Sequence, residues 1–226
     1  MDRSRINQIM RLSDAFMRTC NFILPPFAYW VVEDWLRKGP EVCEIVENGL
    51  GWDITDFGLG DFDTTGLFLF TLRNGRVDRP TSKTYAEKIM ISQVNQITPM
   101  HFHWNKTEDI INRGGGEMAV KLYRATQDEK LDLQNDVQVS LDGVAYSVSP
   151  GTVLKLKPGE SITLTPRLYH SFWGVNRPVL LGEVSSVNDD ASDNRFLEPI
   201  GRFPSINEDE TPLHLLVGDY ARYYQA

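Results

Sequence analysis

Four histidines occur in the 226-residue chain, and two of them, His101 and His103, are separated by a single residue. In a strand, alternate residues share a face, so both imidazoles can grip one ion while Phe102 points into the opposite layer. Glu108 follows five residues later, near enough for its carboxylate to return to the same point over a turn, and Gly114-Gly115-Gly116 reads as a glycine-rich stop just beyond it. A third imidazole, His170, comes far downstream in Tyr169-His170-Ser171-Phe172-Trp173-Gly174. Three neutral nitrogens and one carboxylate suit a divalent first-row metal such as Mn, Fe, Co, Ni or Zn, with positions left for water or substrate. Each residue alone has a plainer reading: the histidine pair as hydrogen-bonded groups at a core edge, Glu108 as a solvated charge. Their coincidence favours one divalent metal per chain. His214 stands apart in an acidic tail and is expected at the surface.

These side chains need elements to hold them. From Ser4 to Cys20 the apolar residues Ile6, Ile9, Met10, Phe16, Met17 and Cys20 fall at the spacing of an amphipathic helix, with Asp2 or Ser4 available as a cap. Pro25-Pro26 breaks that pattern, and short helices are predicted over 33–38 and 41–47. After Asn48-Gly49 the chain turns to short β-branched and aromatic runs between turn residues. The predicted strands are 66–72, 88–98, 118–124, 137–141, 144–148, 153–156, 161–165 and 178–187, with Asp142-Gly143 as the clearest hairpin turn. So many strands at this spacing predict a sandwich or rolled barrel. The chain is therefore expected as one unit: a helical preface over 1–48, a barrel over 49–190 and a surface extension over 191–226.

Composition narrows the function. Apolar residues make 41% of the chain and charged residues 24%, enough for a sizeable core. The net charge of −8 argues against broad binding to nucleic acid or to an anionic membrane, both of which need a basic field. Neither a stretch of roughly 20 apolar residues nor a signal-peptide pattern is present, so a cytoplasmic protein is expected. Cys20 and Cys43 lack metal-motif spacing and read as two reduced thiols.

The ligand spacing His101-x-His103-x4-Glu108-x6-Gly115 resembles the first signature of the cupin superfamily, and Gly159 and His170 fall at positions of the second. Asn95 departs from the first signature, and Thr165, Arg167 and Gly174 depart from the second, all at turn-shaping positions. A closer resemblance is to the D-lyxose ketol-isomerase family of bacteria. It is carried by HFHWNKTEDIINRGGG at 101–116, LYHSFW at 168–173, GEVSSVNDD at 182–190 and Asp193-Asn194-Arg195-Phe196, and extends to Leu24-Pro25-Pro26-Phe27. The resemblance implies a mainly β, cupin-type jelly-roll barrel and a homodimer. It also implies a Mn2+-dependent aldose–ketose isomerase interconverting D-lyxose and D-xylulose, with D-mannose and D-fructose as the longer homologous pair.

Such a reaction moves a hydrogen from C2 to C1 and needs a base, an acid and a stabiliser for a negatively charged oxygen. Metal ligation is assigned to His101, His103, Glu108 and His170. Glu183 leads as base because it sits in the apolar run Val179–Val184, where burial disfavours a charged carboxylate. Lys106, inside the ligand loop, and Lys88 are the candidates for steadying or protonating an oxygen. Gln93, Asn95 and Gln96 offer hydrogen bonds to hydroxyls, Trp104, Phe172 or Trp173 a flat face for the sugar, and Asp190, Asp193 and Arg195 either a segment that closes over it or a salt-bridged loop. The alternatives are a non-catalytic carbohydrate-binding or regulatory protein, and a ferrous dioxygenase, which also suits three histidines and a glutamate.

Overall fold

The computed structural model describes residues 1–79 and 81–224. The helical spacing near the N-terminus becomes α1 (Arg3–Thr19), with Ile6, Ile9, Met10 and Met17 buried along one face. Two further short helices follow, α2 (Val32–Trp35) and α3 (Cys43–Glu47). The strands are β1 (Gly51–Thr55), β2 (Leu67–Arg73), β3 (Tyr85–Ser92), β4 (His101–Phe102), β5 (Glu108–Ala125) and β6 (Leu131–Asp132). They continue as β7 (Val137–Leu141), β8 (Val144–Val148), β9 (Val153–Leu156), β10 (Ser161–Leu164), β11 (Leu168–Ser186) and β12 (Arg195–Phe196), before α4 (Tyr220–Tyr223). No helix among the described residues is long and apolar enough to cross a membrane.

The sheet is antiparallel throughout its named strand pairs and runs β1-β2-β3-β11-β5-β10-β7-β8. This path corrects the expected jelly-roll barrel. Among the described residues no pairing joins β1 to β8, so the sheet stays open. Its two ends meet different surroundings: Trp52 in β1 bridges to Leu216 of the C-terminal segment, whereas β8 is largely exposed. The result is an open sheet with N-terminal helices laid on it.

Alternation along the strands divides the sheet into two faces. Phe68, Phe70, Ile89, Ile91 and Leu180 pack with α1. Their neighbours Leu67, Leu69, Met90 and Leu181 turn to the other face and join Ile110 and Phe172 in a second core. Burial on both faces explains why β2 reads as a continuous apolar run rather than an alternating one.

Several boundaries differ from expectation. The strand predicted over 88–98 ends at Ser92, because the chain turns through Asn95 in the left-handed region at φ 59°. The three glycines do not stop a strand; they lie inside β5, which pairs along nearly its whole length with β11. There the register shifts between Val175 and Val179, and Gly115 has φ +85°, with a Cβ that would come 2.3 Å from Pro178 O. Only glycine fits this close crossing. The Asp142-Gly143 hairpin does form, both residues having positive φ, and adds β7 and β8 at the sheet's end.

The C-terminal stretch is not merely a surface extension. Leu215, Leu216 and Tyr220 are buried. Arg3, fully buried, donates to Glu208 and to Asp219 at 2.8–2.9 Å, and Ser4 N–H donates to Asp209 Oδ1. The acidic run thus clamps the start of α1. His214, expected at the surface, is half-buried and stacks on Trp52 with ring centres 5.7 Å apart, because the apolar residues flanking it are drawn into the core.

Candidate metal centre

β4 enters beside β11 so that His101 and His170 are directly paired across the strands. His103 follows just after β4, and one imidazole nitrogen from each of the three lies within 4.8 Å of the others. Each ring is oriented from behind. Nδ1 of His101 lies 2.8 Å from Pro99 O, that of His103 2.8 Å from Asp193 O, and that of His170 3.0 Å from Leu168 O. A carbonyl only accepts, so each Nδ1 carries the proton and, in a neutral ring, each Nε2 presents a lone pair. Burial holds the His101 pKa well below its usual value, and the neighbouring His170 and His103 push it the same way.

Glu108, first residue of β5, turns Oε1 to within 3.2 Å of His170 Nε2 and 3.5 Å of His103 Nε2. Lone pairs so gathered repel one another unless a cation stands among them, and the donor set therefore fits a divalent metal. The other oxygen, Oε2, lies 2.6 Å from Lys106 Nζ. Burial opposes a charge on Glu108, but Lys106 outweighs it and holds its carboxyl well below the usual range.

Lys106 also donates to Glu183 Oε1 at 3.0 Å. Burial would discharge this lysine, yet Glu108, Glu183 and Asp190 prevail and raise its pKa. Lys88 is opposite Glu183 in the β3–β11 register, so the two share a face, with Nζ 3.6 Å from Oε1. Both lysines donate to Asn188 Oδ1, at 2.6 Å from Lys88 and 3.3 Å from Lys106. Asp190 lies 3.7 Å from Lys88 and 3.1 Å from Arg202, whose second carboxylate partner, Asp53, is at 2.6 Å. Burial disfavours charge on Asp190, but Lys88, Arg202 and Lys106 keep its carboxyl well below the usual range.

One cavity collects His101, His103, His170, Glu108, Lys106, Glu183, Lys88 and Asp190. Its lining also includes the apolar residues Phe57, Leu67, Leu69, Met90, Phe172 and Phe196. The cavity thus joins a candidate ion site, lysine–carboxylate pairs and a surface for C–H groups.

Other residues singled out from the sequence lie elsewhere. Gln93 is exposed beyond β3, on the side that carries α1. Gln96 is spent on backbone: its Nε2 donates to Phe62 O and its Oε1 accepts from Gln93 N–H. Trp104 donates to Glu129 and Arg195 pairs with the same carboxylate, both outside the cavity wall. Asp193 accepts from the backbone N–H groups of Asn105 and Lys106, both at 2.9 Å, so its carboxylate fixes the loop that carries Lys106. Three polar residues of the wall, Thr98, Asn194 and Arg202, are not among the residues the sequence points to. Asn194 stands in the Asp193–Phe196 stretch that carries the family resemblance, but Arg202 stands in the proline-rich tail, where no local pattern marks it.

A sequence profile for the family described as D-lyxose isomerase matches residues 1–220. The D-lyxose/D-mannose isomerase of Serratia proteamaculans is 48% identical over 227 residues, covering 99% of each chain. That of Escherichia coli O157:H7 is 46% identical over 227 residues, covering 99% of this chain and 100% of its own. Among solved structures, the L-ribose isomerase of Cellulomonas parahominis with L-ribose aligns with a TM-score of 0.58 at 16% identity, covering 92% of this chain and 98% of that one. A variant of the L-ribose isomerase of Acinetobacter sp. DL28, in complex with L-ribose, gives 0.58 at 14% identity, covering 91% and 98%. At such identity the likeness to these structures is one of fold.

Proposed function

The chain belongs to the D-lyxose isomerase family and is a metal-dependent sugar isomerase, and from that premise we propose that it interconverts D-lyxose and D-xylulose by proton transfer through an enediol. D-mannose, the second sugar in the relatives' names, is proposed as an alternative substrate, with D-fructose as its ketose. His101, His103, His170 and Glu108 would hold the ion, for which we propose Mn2+. When bound, that ion supplies Lewis acidity beside the carbonyl end of the open-chain sugar.

The observation that carries this reading is the position of Glu183. Its Oε1 meets Lys106 and Lys88 but none of the imidazoles, so it stays available to the substrate in the same cavity. Lys106, paired with Glu108 at 2.6 Å and Glu183 at 3.0 Å, is assigned as the cation of the site rather than its base. The roles then divide: Glu183 takes the proton from C2, exchanges it with water while the enediol stands and delivers a proton to C1, while Lys106 places its positive charge beside the oxygen on which negative charge develops. The hydroxyl proton on O2 passes to O1 as the carbonyl shifts, so the atoms balance without oxidant or reductant. Lys88 and Asn188 hold Lys106 and Glu183 in register. The family resemblance also supports a homodimer and a single functional unit across the chain.

The test is anaerobic incubation of the Mn2+-loaded protein with pentoses and hexoses in deuterium oxide. The expected result is D-xylulose from D-lyxose, with solvent deuterium at C1 and no oxygen requirement. No isomer from any sugar overturns the assigned reaction; an isomer free of solvent deuterium overturns the proton-transfer route.

A further inference from the structure

Among the described residues, two buried side-chain polar atoms find no hydrogen-bond partner: Thr98 Oγ1 and Arg202 Nη1. Both residues line the cavity that holds the imidazoles. A buried donor left without a partner destabilises the fold, and proteins bury few of them. Two in one cavity point to a guest that satisfies them.

A continuous row of polar contacts starts at the imidazoles, follows the cavity wall as far as Arg202 and ends on Asp53, which is outside the cavity lining. From His170 it runs through Glu108 at 3.2 Å, Lys106 at 2.6 Å, Glu183 at 3.0 Å and Lys88 at 3.6 Å. It then passes to Asp190 at 3.7 Å, Arg202 at 3.1 Å and Asp53 at 2.6 Å. Arg202 therefore stands toward the end of the row remote from the imidazoles. Asp53 and Asp190 both accept from its Nη2, which fixes the guanidinium and leaves Nη1, on a residue of the cavity lining, without a partner. With two carboxylates already matching its charge, Arg202 suits a neutral hydroxyl better than a phosphate. Thr98 lies at the other end, its N–H donating to Phe172 O near His170, and is 2% exposed.

We propose that Arg202 Nη1 donates to a hydroxyl at the tail of the open-chain sugar, on C4 or C5, and that Thr98 Oγ1 bonds a hydroxyl close to the reacting carbons. This assignment rests on the isomerase reading above and deepens it: the guest is an unphosphorylated sugar, read at both ends by atoms the fold leaves unpaired.

Calorimetric binding tests it on the Mn2+-loaded Glu183→Gln protein, which cannot take the C2 proton and so does not turn the sugar over, using D-lyxose, 4-deoxy-D-lyxose and 5-deoxy-D-lyxose against that parent and its Arg202→Lys and Thr98→Val derivatives. Arg202→Lys keeps the charge between Asp53 and Asp190 but loses the second amino group. It is expected to weaken D-lyxose binding roughly ten- to hundredfold, as for a bond from a charged donor, and to cost much less with the deoxy sugar that lacks the partner hydroxyl. An equal loss on all three sugars overturns the Arg202 assignment. Thr98→Val removes an unsatisfied hydroxyl at nearly constant shape, so it is expected to weaken D-lyxose binding several-fold while the melting temperature holds or rises. Unchanged binding removes Thr98 from the site. Because affinity is read without turnover, failure of the wild-type protein to convert D-lyxose overturns the proposed reaction and leaves this comparison intact. Failure to bind D-lyxose at all overturns both.

Discussion

Asp193 accepts the Nδ1 proton of His103 at its backbone oxygen, 2.8 Å away, while its carboxylate grips the backbone of the following loop at Asn105 and Lys106. One residue from the segment after β11 thus orients an imidazole and positions a lysine. Asp193→Ala keeps the carbonyl but releases the loop. Metal affinity is expected to fall roughly ten- to hundredfold, the usual effect of losing an outer support of a ligand, as read by chelator competition. Wild-type affinity would show that the loop holds without it.

Glu183→Gln keeps the shape of the side chain and a partner for Lys106 but cannot accept the C2 proton. Turnover should drop by roughly 10²–10⁴-fold with metal content unchanged, measured by ketose formation beside elemental analysis. Activity near wild type would remove Glu183 from proton transfer.

His103→Ala removes one of three nitrogens that lie within 4.8 Å of one another. Both bound metal and activity should be lost, with the fold retained by circular dichroism. Stoichiometric metal in this variant would show that the ligand set is wrong.

Arg3 is fully buried between Glu208 and Asp219 and ties α1 to the C-terminal segment. Arg3→Met should lower the free energy of unfolding by about 3–5 kcal/mol, because it leaves a largely buried carboxylate uncompensated. Denaturant titration reads this directly, and a change under about 1 kcal/mol would show the pair to be dispensable.

Glu208 gives that clamp a pH dependence. Its hydrogen bond from Arg3 lowers its pKa in the folded protein. A depressed carboxylate contributes stability that is complete above the unfolded value of about 4.3 and is lost as pH falls through the folded one. The stability gap between wild type and Glu208→Gln should therefore be widest near neutrality and shrink in acid. A gap independent of pH would assign the effect to packing instead.

The sequence by itself determined many of the local elements. It also marked the histidine spacing, Glu108 and the acidic Glu183 in its apolar run as candidates, because spacing and composition along the chain are read locally. The edges of β7, β8 and β9 were legible for the same reason, being set by turns such as Asp142-Gly143. Tertiary structure alone decided whether the sheet closes, since that depends on what covers β1: Trp52 meets Leu216, far along the chain. It also decided which polar residues face the cavity. Gln93 and Gln96 looked suited to a sugar but were taken up outside it, whereas Arg202 is brought there from the tail by Asp53 and Asp190. A side chain's type fixes what it is able to bond, but its partner is fixed by chain segments tens to hundreds of residues away, and no local period records that distance.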